Sequence, residues 1–363
     1  MAVESYDVQA AAVTTTINHP TNTISVIGVG GCGINLANQI GDLYEATPVA
    51  ERKHYSRPQV VNVDSSRQNV RYVKSAKDDN TYIIRKGGDV LKNPHGNELD
   101  GGGGDRSFLR EIAPTAAKEV ASKWPFNDVV VVAFSAHGAT GGTVGLQIMK
   151  EALAAQKQVY AIVVGGTTGA HRQHATNAVK LALLKYQTES GRGLGFFYAE
   201  NAGMLPSDEA LADQAVIDFW TALSLIHART AMRLDGRDIE NALQVHRITG
   251  GDPQLFQLFT AFNDDELERA PTPVCVIGNV TNQYTSTPGA QQVLAGAKYA
   301  KLGVHDIDAN QPLPTVFLLA TRVSDDFVRA HSLDLQASRT TLQSESAIDQ
   351  KLMATFVNSD DVF

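Results

Sequence analysis

Residues 129–145 read VVVVAFSAHGATGGTVG. The first six, Val129 to Phe134, are apolar and valine-rich with no alternation, which predicts a strand buried on both faces, as in a parallel sheet. The remainder sets Gly138, Gly141, Gly142 and Gly145 around Thr140 and Thr143 and runs into a helical pattern at Leu146. A glycine-rich turn between a parallel strand and a helix presents bare backbone N–H groups at a positive helix end, a geometry that suits phosphate oxygens. A tight turn needing positive φ is the plainer reading of one such loop alone.

Three more glycine loops surround it. The stretch TISVIGVGGCGIN, residues 23–35, is a strand, a turn and a helix start, with Gly28, Gly30 and Gly33 in G-x-G-x-x-G spacing. Gly101 to Gly104 form a run that is costly to order; it reads as a loop closing on a ligand or as a linker. The strand Val159 to Val164 leads into Gly165, Gly166 and Gly169, then His171 and Arg172. The strand Val60 to Asp64 ends in an acid that could bond a ribose, reach a metal through water, or cap the next helix. Thr81 to Ile84 and Gly195 to Tyr198 read as further short strands. Strands alternating with helices, with glycine turns at the strand C-termini, predict an α/β fold: an open parallel, Rossmann-like sheet with ligand loops along one edge. Several phosphate-facing loops favour a nucleoside triphosphate over a dinucleotide. No G-x-x-x-x-G-K-[ST] occurs.

From Ala210 to Leu234 no Gly or Pro interrupts an apolar face that includes Leu211, Phe219, Leu223, Ile226 and Met232. A helix of about 25 residues would be roughly 37 Å long. Its start follows the sixth strand at the ligand edge, so its end must emerge at the opposite face. There stand Asp235 and Asp238. Spacing alone favours a helix cap. If they are catalytic, they act on the nucleotide of a neighbouring molecule, and open head-to-tail stacking makes filaments. Beyond them, Asn241 to Asp265 reads as helix and loop, Val274 to Ile277 and Val316 to Ala320 as strands, and Ala290 to Lys301 as a helix.

The chain divides into an extension (1–22), a nucleotide-binding domain (23–209), a central helix (210–234), a smaller α+β activation domain (235–330) and a polar C-terminal helix with an acidic tail (331–363). Composition is that of a soluble globular protein, at 43% hydrophobic and 19% charged residues. No run is long enough to span a membrane, and residues 1–22 lack the pattern of a signal peptide. Two cysteines, Cys32 and Cys275, fit a reducing cytoplasm. The net charge of −8 argues against a broadly basic, nucleic-acid-gripping surface.

These parts in this order resemble the tubulin/FtsZ superfamily of filament-forming GTPases. Residues 27–35 are similar to its first nucleotide loop, which implies contacts from Gly30, Gly31, Cys32 and Asn35. Asp64 falls in the second loop, and Gly102, Gly103 and Gly104 where a γ-phosphate-sensing loop stands. Gly138, Ala139, Thr140, Gly141, Gly142 and Thr143 resemble the signature G-G-T-G-[SAT]-G but depart from it: Ala139 replaces a glycine, and the residues after Gly141 are out of step. Arg172 and Asn201 match the family's arginine and base-contacting asparagine, whereas Thr168 replaces a ribose-binding glutamate. Asp213 and Asp218 are the candidates for the acid that flanks guanine on the central helix. Asp235 and Asp238 match the activating loop, which raises the prior on a trans catalytic role.

The resemblance implies GTP/GDP binding with Mg²⁺ bridging phosphates, no metal site of the protein's own, and a longitudinal homopolymer in a bacterial or phage-infected cytoplasm. The compact chain and Asp-rich tip look most like tubulin-like proteins of large bacteriophages and plasmids, which implies an adaptor or phage cargo and a docking role for the C-terminal tail. The rivals are an FtsZ-like cell-division GTPase, a nicotinamide-dependent oxidoreductase using Gly28, Gly30 and Gly33, and a scaffold that binds nucleotide without hydrolysis.

Overall fold

A computed structural model describes residues 22–92, 98–99, 106–166, 169–201, 203, 205–230, 234–249, 255–281, 284, 286–305 and 314–323. The proposed N-terminal extension, C-terminal helix and tail, Gly101 to Asp105, Thr168 and Met232 lie outside them. The first half alternates strand and helix: β1 (Thr23–Val29), α1 (Gly30–Ala46), β2 (Arg57–Asp64), α2 (Arg67–Arg71), β3 (Thr81–Ile83), a small hairpin of β4 (Arg85–Lys86) and β5 (Asp89–Val90), and α3 (Ser107–Lys123). It continues through β6 (Val129–Ser135), α4 (Leu146–Ala154), β7 (Gln158–Gly165), α5 (Ala170–Ser190), β8 (Leu194–Glu200) and α6 (Pro206–His227). The second half contains α7 (Gly236–Leu243), α8 (Val245–Thr249), β9 (Leu255–Ala261), α9 (Asp264–Arg269), β10 (Cys275–Thr281), α10 (Pro288–Gly296), β11 (Tyr299–His305) and β12 (Val316–Arg322).

Ten of these strands form one sheet, ordered β11-β10-β12-β9-β8-β7-β6-β1-β2-β3. Every pairing is parallel except those of β12, which runs against β10 and β9. The valine strand β6 lies inside it, and its residues alternate between two cores. Val130, Val132 and Phe134 pack with α3, α4 and α5, and Val129, Val131 and Ala133 pack with α1, α6 and α7. Burial on both faces is why the run is apolar without alternation. Sheet order turns back between β1 and β6, so their C-terminal ends flank a topological switch point, the usual ligand crevice of such sheets.

Helix α6 crosses the second face of the sheet. Its 22 residues give roughly 33 Å of length. Phe219 stacks on Phe197 of β8 at 4.5 Å between ring centroids. It ends at His227, earlier than the apolar run to Leu234 implies, because Arg229 takes a left-handed φ of 55° that stops the helix. Leu211, placed on the buried face by periodicity, is 70% exposed. The end of α6 sits where the strands begin. His227 O accepts from Asn22 Nδ2 at 2.6 Å, just before β1, and Ser224 O accepts from Ser56 N, just before β2.

Besides the short β4–β5 hairpin, two strands of the main sheet depart from the sequence reading. Residues 255–261 are β9, and residues 299–305, placed partly in a helix from Ala290 to Lys301, are the edge strand β11. Helix α10 stops at Gly296, and the polar Tyr299 and Lys301 disguise β11 as helix surface. The strands of the second half extend the same sheet, through parallel pairing of β9 with β8. No helix among the described residues is long and apolar enough to cross a membrane.

His227 is buried with its Nε2 3.0 Å from the Tyr160 hydroxyl. Burial, aided by Arg229, lowers its pKa to about 3. In the unfolded chain it takes a proton below about 6.5, so the unfolded state binds more protons and stability is lost as pH falls from there towards 3. Urea unfolding is expected to show about 1.4 kcal/mol less stability near pH 5.5 than near pH 7.5 from this group. His227→Gln is expected to flatten that part of the slope; an unchanged slope would contradict the assignment.

Candidate functional site

Two glycine loops meet at the switch point. Gly30 opens α1 with φ 74°, a conformation that L side chains rarely adopt. A Cβ built on Gly30 would stand 3.3 Å from the Gly141 backbone N, so the loops nearly touch. Gly33 is required by packing, because a Cβ there would collide with the Ala133 carbonyl of β6. The N-terminal turn of α1 thereby sits directly beside the loop after β6, leaving unbonded backbone N–H groups at the crevice.

The loop after β6 contains a π-helical turn, Gly141–Gly145, ahead of α4. Such a turn takes in one more residue than an α-turn and is common at functional sites. Thr140, the threonine of the G-G-T-G-[SAT]-G signature, is buried and bridges two loops: its Oγ1 donates to Asp64 Oδ1 at 3.2 Å and lies 3.0 Å from Ser65 Oγ. Ala139 is buried and its carbonyl accepts from Thr143 Oγ1 at 2.7 Å, while Gly138 O accepts from Gly142 N at 3.0 Å. Behind the turn lies the guanidinium of Arg106, buried against Gly142, donating to the carbonyls of Ala136 and Gly142. Burial, then Arg110, lowers its pKa to about 9.

Asp64 is an internal brace. Its Oδ1 accepts from Ser65 N at 2.6 Å and Ser66 N at 3.3 Å, and its Oδ2 from Asn69 Nδ2 at 2.7 Å. Burial raises its pKa, and these bonds oppose the rise. Both oxygens are engaged, and Ser66, not Asp64, caps α2. Asn69 in turn lies against Gly31. Among the described residues no group of three or more His, Cys, Asp or Glu could hold a metal ion.

On α6, Asp213 accepts from Asn35 Nδ2 at 3.3 Å and Gln39 Nε2 at 2.7 Å. Asp218 lies five residues on, about 140° round the helix, and accepts from Gln214 at 2.8 Å. Asp213 is the α6 acid bonded to the first loop's helix, and Asp218 lies on a different face of α6. Cys32 is a half-buried thiol pushed up to about 12, by burial first and then by Asp213 and Glu209. It is a small packing residue.

At the ends of β7 and β8, Asn201 N donates to Gly165 O at 2.8 Å and Arg172 Nη1 to Gly203 O at 3.3 Å. The Asn201 side-chain oxygen is buried without a partner among the described residues. A continuous rim thus runs from Asp64 through Gly30 and Gly141 to Arg172 and Asn201. Gly102, Gly103 and Gly104 lie outside the described residues.

The acid loop stands on the opposite edge. Gln158, first in β7, donates to Ile239 O of α7 at 3.4 Å, while Gly165, last in β7, is on the rim. Seven residue steps of strand separate them by roughly 23 Å. Asp235 caps α7, its Oδ1 accepting from Arg237 N at 2.8 Å and Asp238 N at 2.9 Å. These bonds, that of Asp238 N foremost, hold its pKa low. Asp238 completes the capping box, its Oδ2 accepting from Asp235 N at 3.2 Å. Its Oδ1 accepts from the Tyr299 hydroxyl at 3.0 Å and pairs with Lys301 at 3.3 Å. The cap expected from spacing is therefore real, and the remote placement is real as well. Sequence reading missed Asn69, Arg106, Tyr299 and Lys301; the i, i+2 pair Tyr299 and Lys301 becomes visible only once β11 is known to be a strand.

No protein-family model matches the chain. It is 23% identical over 279 residues to a phage tubulin-like protein of Pseudomonas phage phiKZ, spanning 77% of this chain and 80% of that one. Among solved structures it resembles a protofilament of TubZ from bacteriophage PhiKZ, with TM-score 0.68 and 20% identity over 90% of this chain and 93% of that one. It resembles the GDP complex of the phage tubulin PhuZ equally, with TM-score 0.68 and 17% identity over 90% and 94%. The fold is that of the tubulin/FtsZ superfamily, with phage tubulin-like proteins as relatives.

Thr140→Val is expected to leave the buried Asp64 short of a donor and cost about 1–3 kcal/mol in urea unfolding, whereas Thr140→Ser costs less. Equal stability of Thr140→Val and wild type would show that the hydroxyl does not bind the loops together.

Proposed function

We propose that the chain is a GTPase that polymerises head-to-tail and hydrolyses GTP at the contact between successive subunits. The observation that carries this reading is the separation of the glycine rim from Asp235 and Asp238 by the full height of the sheet. The loops at Gly30 to Gly33 and Thr140 to Thr143 hold phosphates through backbone N–H groups; Gly101 to Gly104 belong to the same role by sequence. The buried oxygen of Asn201 accepts from the guanine edge, and Asp213 stands near it at the head of α6. Bound with the triphosphate, Mg²⁺ would supply neutralisation of the phosphate charge. Asp235 and Asp238 of the next subunit orient water towards the γ-phosphate.

The exposed apolar residues support end-to-end contact. Leu205 and Leu211 stand at the head of α6, on the rim edge. Leu43, Val49 and Ile248 stand at the end of α1 and on α8, on the far edge. A heterologous contact between such unlike edges does not close on itself and yields a filament. The likeness to phage tubulins favours a cytoskeletal role in positioning or segregating phage or plasmid DNA through an adaptor or cargo, in the cytoplasm of a bacterial cell. The domain division at residues 23–209, 210–234 and 235–330 is retained as a functional one, with the last region supplying the activating acids.

Phosphate release per chain is expected to climb above a threshold protein concentration with GTP, in step with light scattering. Asp235→Ala or Asp238→Ala is expected to slow turnover by on the order of 100-fold while GTP binding persists. A rate independent of concentration, or Asp238→Ala at the wild-type rate, would sink the trans mechanism. Tighter equilibrium binding of NAD than of GTP would favour an oxidoreductase instead.

A further inference from the structure

The edge strand β11 touches the acid loop. Tyr299 and Lys301 are two residues apart, so both side chains leave the same face of the strand. They converge on one atom, Asp238 Oδ1, at 3.0 Å and 3.3 Å. The other oxygen of that carboxylate receives Asp235 N. The Tyr299 hydroxyl also bonds the Asn241 side chain, so its own direction is set. Lys301 acts on Asp235 too, helping to keep that carboxylate ionised. Asp235, by contrast, uses only Oδ1 for its cap bonds.

We propose that Tyr299 and Lys301 are positioning residues for hydrolysis: they fix the Asp238 carboxylate, and through it the acid loop, in the geometry that meets the neighbour's nucleotide. The inference rests on the trans reading of Asp235 and Asp238. A carboxylate in the first turn of a helix is otherwise free to choose among rotamers, and a shift of about 1 Å in a water-orienting group costs up to about 100-fold in rate. The Lys301–Asp238 contact is partly exposed, with 41% of the lysine side chain open to solvent, so it contributes little to stability. Burial raises the Tyr299 pKa to about 12, with the Asp238 bond adding to the rise, so the phenol remains a donor throughout the working range.

The test uses full-length chain carrying Tyr299→Phe, Lys301→Met or Lys301→Arg, each in wild-type and Asp238→Asn backgrounds. Turnover is measured per subunit in sedimented filaments at saturating GTP, alongside monomer GTP affinity and the assembly threshold. Tyr299→Phe and Lys301→Met are expected to lower turnover about ten-fold or more, with affinity and threshold held within about two-fold. Lys301→Arg is expected to recover most of the loss. In the Asp238→Asn background none of the three is expected to lower turnover further, because their effect passes through the missing carboxylate. Undiminished turnover in Tyr299→Phe and Lys301→Met, or the same proportional loss without Asp238, would overturn the inference while leaving the trans reaction standing. Wild-type turnover in Asp238→Asn alone would overturn the trans role of that acid, and this inference with it.

Discussion

Packing of α6 against the sheet is the constraint on which everything else depends. The helix is anchored at its head by Asp213 on Asn35 and Gln39, in its middle by Phe219 on Phe197, and at its end by contacts to the residues preceding β1 and β2. It is buried along most of its length in one core that also takes in β6, β10 and α7. A rod so fixed cannot bend the acid loop back to the rim. Parallel strands then impose the same polarity on every loop: glycine turns at their C-terminal ends, the acid loop at their N-terminal ends. One folded chain therefore carries two unlike edges.

Each edge is a local network built from ordinary bonds. At the rim, Thr140, Asp64, Ser65 and Asn69 join the loop after β2 to the loop after β6, and the near contact of Gly30 with Gly141 brings in the loop after β1. The Thr140 hydroxyl is turned inward and holds the two loops together. At the far edge, a capping box sets Asp235 and Asp238, and the last strand of the sheet fixes one of them.

Much of this was legible in the residues. Long apolar strands such as Val129 to Phe134 declare burial on both faces, and the glycine turns declare the edge where ligands go. The remote position of Asp235 followed from helix length, although the helix stops sooner than periodicity implied because Arg229 breaks it. What stayed hidden was mostly set by long-range pairing. Residues 299–305 are half exposed at an edge and carry no clean alternation, so nothing local separated strand from helix. Which of Asp213 and Asp218 meets α1 depended on how α6 packs, a fact that no local pattern carries. The readings at Gly102, Gly103, Gly104 and the C-terminal tail concern residues outside the structure's description.

Hydrolysis across a subunit boundary is tested most directly in a single turnover. A chain carrying both Asp235→Ala and Asp238→Ala, loaded with γ-phosphate-labelled GTP and freed of excess nucleotide, keeps an intact rim and lacks only its acids. Excess wild-type chain preloaded with a non-hydrolysable GTP analogue is then added, and labelled phosphate is followed. Release of label on mixing, absent from either chain alone, is the expected result. Label that stays on the variant while the two chains co-assemble would contradict hydrolysis in trans.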